Sequence, residues 1–129
     1  MWPFSGPFAS YTDADCIIVE TYPADACLQI GLSAPGRGWS KRRQDDRAIQ
    51  AGQILLAAQQ ASVALSGELG HAISNGFGSK ADGEDAFDAV VGLIAMAREL
   101  SRQDPGNAPL DRDVQDREGW IFGQPAVAA

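Results

Sequence analysis

Apolar residues along the chain form short runs separated by loops that contain glycine and proline. Residues 16–20 form a continuous β-branched run, which is typical of a strand covered on both faces in a parallel sheet. Pro23 can occupy the first turn of a helix, so residues 24–30 predict a short helix that Gly31 closes. Residues 119–123 predict a short apolar strand or a docking segment.

Three more helices are expected in the middle of the chain. Ser40 is a suitable N-cap for a helix over residues 41–60, and a weaker pattern predicts a helix over residues 67–74. A turn and a loop are expected over residues 75–83. Residues 84–102 predict the last helix, which has no charged side chain between residues 89 and 97 and is therefore expected to be buried on most of its surface.

Together these elements predict an α/β fold, mostly helical with few strands. Helices with apolar faces need a sheet to cover, and a buried strand needs both of its edges paired. We therefore expect the early strands to lie upstream in a longer protein, in another copy of the chain or in a partner chain. The whole chain, residues 1–129, is expected to form a single partial domain.

Composition and charge narrow the class of protein. The chain is 45% hydrophobic and 21% charged, which is typical of a globular protein. No apolar run could span a bilayer and the N-terminus lacks a signal-peptide pattern, so a cytoplasmic protein without membrane contact is expected. The net charge of −7 argues against tight non-specific nucleic-acid binding but leaves room for a local basic patch. Cys16 and Cys27 are expected to be free and buried.

Three acidic residues are the candidate catalytic and metal-binding residues. Asp85 and Asp88 lie three residues apart on one helical face, where their oxygens could hold Mg²⁺ or Mn²⁺. Glu20 would join them from the carboxyl end of the early strand, where sites in open α/β sheets gather. A structural alternative stays open, because acidic residues in a first turn also favour the helix dipole and Glu20 can face solvent. His71, the only histidine, is expected to have a structural role.

Lys41, Arg42, Arg43 and Arg47 form the only basic cluster and are the candidate substrate-binding residues. If Ser40 caps the helix, three of these cations occupy a first turn whose dipole disfavours them. Such a departure from local preference can mark a functional site, and a helix N-terminus with added cations suits a phosphate. The alternative is a solvated surface, on which the two acidic residues just downstream reduce the repulsion between the cations.

Five segments carry a family resemblance, and they occur in a fixed order over nearly the whole chain. They are Trp2-Pro3-Phe4-Ser5-Gly6-Pro7, Val19-Glu20-Thr21-Tyr22-Pro23-Ala24, Lys41-Arg42-Arg43-Gln44-Asp45-Asp46-Arg47, Asp85-Ala86-Phe87-Asp88-Ala89-Val90-Val91-Gly92-Leu93 and Glu118-Gly119-Trp120-Ile121-Phe122-Gly123. The series resembles the C-terminal half of a bacterial family of predicted nucleases with a ribonuclease H-like fold, whose function is largely uncharacterised. The resemblance implies that residues 16–20 form a late parallel strand and that Glu20, Asp85 and Asp88 match the later acidic positions of the family. It also implies that the early strands, which supply an essential Asp in that fold, are missing from this chain.

Two functions are therefore expected. The first is metal-dependent phosphodiester hydrolysis of a nucleic acid, in which Glu20, Asp85 and Asp88 hold Mg²⁺ or Mn²⁺ and Lys41 or Arg43 steadies the phosphate. It requires the missing strands or a partner that supplies them, so the isolated chain is expected to be inactive. The second is a non-catalytic dimerising or assembly module, which recruits a second copy or a missing N-terminal half.

Overall fold

The structure, a computed structural model, describes residues 21–101, which contain five α-helices joined by loops. They are α1 (Pro23–Gln29), α2 (Gln44–Ile49), α3 (Ala51–Gln60), α4 (Gly67–Ser74) and α5 (Gly83–Leu100). None of these helices is both long and apolar enough to cross a membrane. The strands predicted over residues 16–20 and 119–123 lie outside the described residues, as does Cys16.

The expectation of an α/β, ribonuclease H-like fold is wrong, because residues 21–101 fold as helices and loops with no strand among them. A helix with an apolar stripe needs another element to cover it, and a sheet is only one solution. Here the helices cover one another: α5 packs on α1 and α3, while α3 also packs on α2 and α4. The fold of the described part is therefore a small all-α bundle.

The boundaries of α1, α4 and α5 lie close to the predicted ones, whereas the helix predicted over residues 41–60 begins later and is divided. Ser40 does not cap it. Its backbone N–H donates to Asp46 Oδ2 at 2.8 Å, and Arg43 is the residue at the N-cap position of α2. The cations at positions 41–43 therefore precede the helix, and the first turn holds Asp45 and Asp46, which the helix dipole favours.

Three of the helices end in the same way, with a residue of positive φ followed by an apolar residue. Gly31 (φ 87°), Ser62 (φ 55°) and Gly76 (φ 60°) follow α1, α3 and α4 respectively. In each case the next N–H donates back to a carbonyl five residues earlier, as when Phe77 N–H reaches Ala72 O at 2.8 Å. This Schellman arrangement satisfies the last carbonyls of the helix and turns the following apolar side chain towards the core.

The core is built from the buried face of α5 and the helices around it. Phe87, Val91 and Ile94 are fully buried on α5, and Ile54 of α3 and Ile73 of α4 are fully buried with them. Burying one such side chain stabilises the fold by about 1.5–3 kcal/mol. Aromatic rings fix the start of α5, since the Phe87 ring lies edge-to-face with the rings of Trp39 and Phe77, with centroid distances of 5.7 Å and 6.0 Å.

Candidate functional site

Two carboxylates at the start of α5 converge on a single lysine. Lys41 Nζ lies 2.8 Å and 2.6 Å from the two oxygens of Asp88 and 4.0 Å from an oxygen of Glu84. The side chains of Lys41 and Asp88 are only 18% and 22% exposed, so solvent screens the pair weakly. The ion pair fastens the loop before α2 to the first turns of α5.

The predicted acidic cluster is therefore only partly assembled within the described residues. Asp88 is bound to Lys41, Asp85 is exposed, and Glu20 lies outside residues 21–101. In the described residues no three His, Cys, Asp or Glu side chains are placed to hold a metal ion. Glu84 rather than Asp85 approaches the same cation as Asp88. Its spacing of four residues from Asp88 places both side chains on one helical face, and this spacing could have identified Glu84 from the sequence. The Mg²⁺ or Mn²⁺ site stays a prediction.

The predicted basic cluster is divided between three environments. Lys41 is held by Asp88, as described above, and Arg42 is exposed. Arg43 is exposed and its Nε lies 3.7 Å from Asp46 Oδ2, one turn along α2. Arg47 is buried inside the bundle. Arg42 and Arg43 are therefore the cluster members that remain open to a phosphate.

Arg47 is the largest fully buried side chain among the described residues, and its partners are backbone carbonyls. Its Nε donates to Gly76 O at 2.8 Å and its Nη2 to Gly78 O at 2.7 Å, while its Nη1 donates to Lys41 O. A buried guanidinium requires such partners, since an unpaired one would be very costly. Arg47 thus ties the loop before α2 to the turn after α4 and is a structural residue.

Cys27 is free and buried, as the sequence predicted for it. It lies on α1 and its side chain has no exposure to solvent. Burial raises the pKa of the Cys27 thiol from 9.0 to about 11; the charge of Lys41 lowers this pKa and that of Asp88 raises it. A thiol with so high a pKa is a poor nucleophile at neutral pH, which argues against a catalytic role.

A second apolar stripe runs along α5 on a surface that the bundle leaves uncovered. We call it the α5 seam; its five residues are Ala86, Ala89, Leu93, Met96 and Leu100. Leu93 is 49% exposed and Leu100 is 57% exposed, whereas Met96 is half-buried. The apolar sequence predicted a helix that is buried on most of its surface, so the exposed seam was not expected, although its alternating spacing of three and four residues could have indicated it.

Comparison with known proteins finds no matching family model, no matching curated protein and no matching solved structure. The resemblance to a family of predicted nucleases therefore stays a prediction.

Proposed function

We propose that this chain is a non-catalytic assembly module that pairs with a second copy of itself through the α5 seam. The observation that carries the proposal is the exposure of large apolar side chains at regular spacing on a helix whose opposite face is fully buried. A globular protein rarely leaves such a continuous apolar surface without a partner. A helix that is apolar on two opposite faces needs a packing partner on each of them, and the bundle covers only one.

The spacing of the α5 seam suits a helix as its partner. Residues that recur at alternating intervals of three and four are the a and d positions of a heptad, and they meet the same positions on a facing helix. The two alanines at the start of the seam would leave room for larger side chains of a partner helix, and Leu93 and Leu100 would supply most of the apolar contact. With 18 residues, α5 is about 27 Å long, which is enough for two heptads.

The shape of the α5 seam favours a second copy as that partner. In a two-fold contact the same surface of each copy meets its counterpart, and an apolar stripe at a and d spacing is complementary to the same stripe on a facing helix. Asp85 is exposed next to the start of the seam. Two Asp85 carboxylates would lie side by side in a parallel pair and at opposite ends of an antiparallel one, so the antiparallel pair is the one that we propose.

Light scattering on the full chain tests this proposal. We expect a dimer in the wild type and a dissociation constant raised about 100-fold in Leu93→Glu, because both copies then place a charge where a leucine is buried. Ile49→Glu is the matched control, since Ile49 is 76% exposed at the end of α2, away from the seam. A wild type that stays monomeric at the highest soluble concentration, or an Ile49→Glu variant that dissociates equally, would refute it.

Metal-dependent phosphodiester hydrolysis is the second candidate, and one observation favours it. The carboxylates of Glu84 and Asp88 converge on the same ammonium group, so Lys41 stands where a divalent cation could be held between them. Carboxylate oxygens are the ligands that Mg²⁺ and Mn²⁺ prefer. Arg42 and Arg43 are exposed nearby in sequence and could contact a phosphate.

Replacing the lysine tests the second candidate. In Lys41→Met the two carboxylates lose their cation, so we expect Mn²⁺ to bind between them and raise the melting temperature of this variant. At a free Mn²⁺ concentration of about a hundred times the dissociation constant, the free energy of unfolding should rise by about 2–3 kcal/mol. Lys80→Met is the control, because Lys80 is exposed in the loop before α5. If Mn²⁺ shifts neither variant, or shifts both alike, these carboxylates do not form a metal site.

A further inference from the structure

A cleft of about 500 Å³ opens to solvent between α4 and the start of α5. Glu68 and His71 of α4 line one side, Asp82 lines the other, and Asn75 and Phe77 of the turn after α4 complete the wall. Its volume falls in the range of small-molecule sites. Of its lining residues, only Ala86 belongs to a surface used by the functions considered above.

The charge on the cleft is negative and uncompensated within the described residues. Glu68 comes from the first turn of α4 and Asp82 directly precedes α5, so two separate elements place a carboxylate at the same opening. No lysine or arginine is among the described residues that line the cleft, and His71 is the one basic side chain there. Across residues 21–101, neither carboxylate accepts a hydrogen bond or forms an ion pair.

One aromatic side chain, that of Phe77, lines the cleft together with these carboxylates, and it is firmly held. Phe77 is half-buried, and its ring lies edge-to-face with the buried ring of Phe87. The backbone on either side of it is fixed by Arg47, which donates to Gly76 O and Gly78 O. Binding therefore costs little ordering of the turn, because the cleft is already formed.

We infer that this cleft binds an organic cation, a guanidinium or ammonium group on an apolar stem. The two carboxylates would hold the charged group, and the Phe77 ring would contact its stem or attract the cation through its face. The same carboxylates repel anions. A bare metal ion is disfavoured, since no three metal-ligating side chains are grouped within the described residues. The cation can be a free small molecule or the side chain of a peptide.

Backbone amide NMR shifts of the isotope-labelled full chain test the inference with three probes. Agmatine represents a free organic cation, acetyl-Gly-Arg-Gly-amide represents a peptide side chain, and acetyl-Gly-citrulline-Gly-amide is the neutral isostere of the latter. We expect agmatine, the arginine peptide or both to shift the amides of Glu68, Asn75, Phe77 and Asp82, and the citrulline peptide to shift none. Binding by agmatine alone identifies a free small cation as the ligand class, and binding by the peptide alone identifies a protein side chain.

Variants distinguish binding in the cleft from a general attraction of cations to an acidic protein. Glu68→Gln and Asp82→Asn each remove one charge without changing size, and we expect each to weaken binding about fivefold. Phe77→Leu keeps the charges and should weaken it about threefold. Asp45→Asn, an exposed acid of α2 outside the cleft, should leave binding unchanged. Equal binding of the citrulline peptide, or equal loss in Asp45→Asn, would overturn the inference, as would the absence of shifts with both cations.

Ala86 borders the cleft and also belongs to the α5 seam, so the titration is repeated in Leu93→Glu. Unchanged binding in that variant supports a site that does not depend on self-association. Binding that disappears with the dimer would contradict a site formed by one copy.

Discussion

At the scale of single residues, Arg47 has a large expected effect on stability. It donates to three carbonyls that belong to two different loops. In Arg47→Lys a compact ammonium group replaces the planar guanidinium group, so at least one buried carbonyl loses its donor. We expect the free energy of unfolding to fall by about 2–3 kcal/mol, measured by urea denaturation followed by far-UV circular dichroism.

Arg43→Lys is the matched control for this change. The Arg43 side chain is 71% exposed and pairs only with Asp46 on its own helix. Exposed pairs of this kind contribute about 0–1 kcal/mol, so the unfolding midpoint should barely move. If both variants lose the same stability, Arg47 does not act through its buried hydrogen bonds.

Cys27 provides a second expectation at this scale, on pH dependence. Its pKa is about 11 in the folded chain, whereas an exposed thiol has its ordinary value of 9.0. The unfolded state therefore loses its proton first as the pH rises, and stability falls between pH 9.0 and 11 by about 1.4 kcal/mol per pH unit. Below pH 9.0 this group contributes no pH dependence, because the thiol is protonated in both states.

Thiol-reactivity measurements check the Cys27 expectation. In a Cys16→Ser background, only Cys27 can react with a disulfide reagent. We expect its rate at pH 8 to be far below that of the unfolded chain, and to rise about tenfold per pH unit until it levels off near pH 11. Rapid reaction at neutral pH would mean that the thiol is accessible or has a lower pKa.

These residue roles were largely hidden in the sequence. Arginine is rarely buried, so Arg47 was grouped with the other cations, and two of its three acceptors lie about thirty residues further along the chain, where no local pattern connects them to it. The contact between Lys41 and Asp88 spans 47 positions, and no local pattern encodes it. Sequence alone could anticipate only that acidic residues cluster at the start of α5.

At the scale of elements, the turn after α4 depends on one glycine. Gly76 has φ of 60°, and a Cβ built on it would clash with Gln44 O and lie 2.9 Å from Ala48 N. In Gly76→Ala the backbone of α2 would have to move, so we expect a loss of about 3 kcal/mol or more in the free energy of unfolding, measured by urea denaturation.

Gly78→Ala separates this clash from backbone strain. Gly78 also has a positive φ, of 78°, but a Cβ there would meet nothing within 4 Å. Only the strain of the left-handed conformation remains, which costs about 1–2 kcal/mol. Equal losses in the two variants would show that α2 does not pack against the turn as closely as the structure has it.

Periodicity and end signals predicted the helices well, because both are local. The helix over residues 67–74 is confirmed at both ends, and its N-cap Ser66 accepts from Leu69 N–H as such caps do. The division between α2 and α3 was not predicted, since Gln50 keeps helical dihedral angles and no proline or glycine marks the break. Fold class was wrong because it depends on which surfaces meet, and an apolar helix face suits another helix as well as a sheet.

At the scale of the whole molecule, the direction in which two copies pair should be visible in the effect of a single charge. Parallel α5 helices would bring the two Asp85 carboxylates side by side, whereas antiparallel helices hold them at opposite ends of the contact. In Asp85→Asn we therefore expect the affinity of an antiparallel dimer to change by about twofold or less. A parallel dimer would instead gain affinity at low salt, and added salt would remove the gain by screening the repulsion.

Light scattering or sedimentation equilibrium at low and high salt measures the affinities of Asp85→Asn and the wild type. Asp45→Asn removes the same charge from exposed α2, so it controls for overall repulsion in a chain that carries −7. If Asp85→Asn pairs more tightly than Asp45→Asn at low salt while Leu93→Glu still dissociates the dimer, the α5 seam forms the contact but the helices run parallel, since the apolar residues give the affinity and the charges give only the direction.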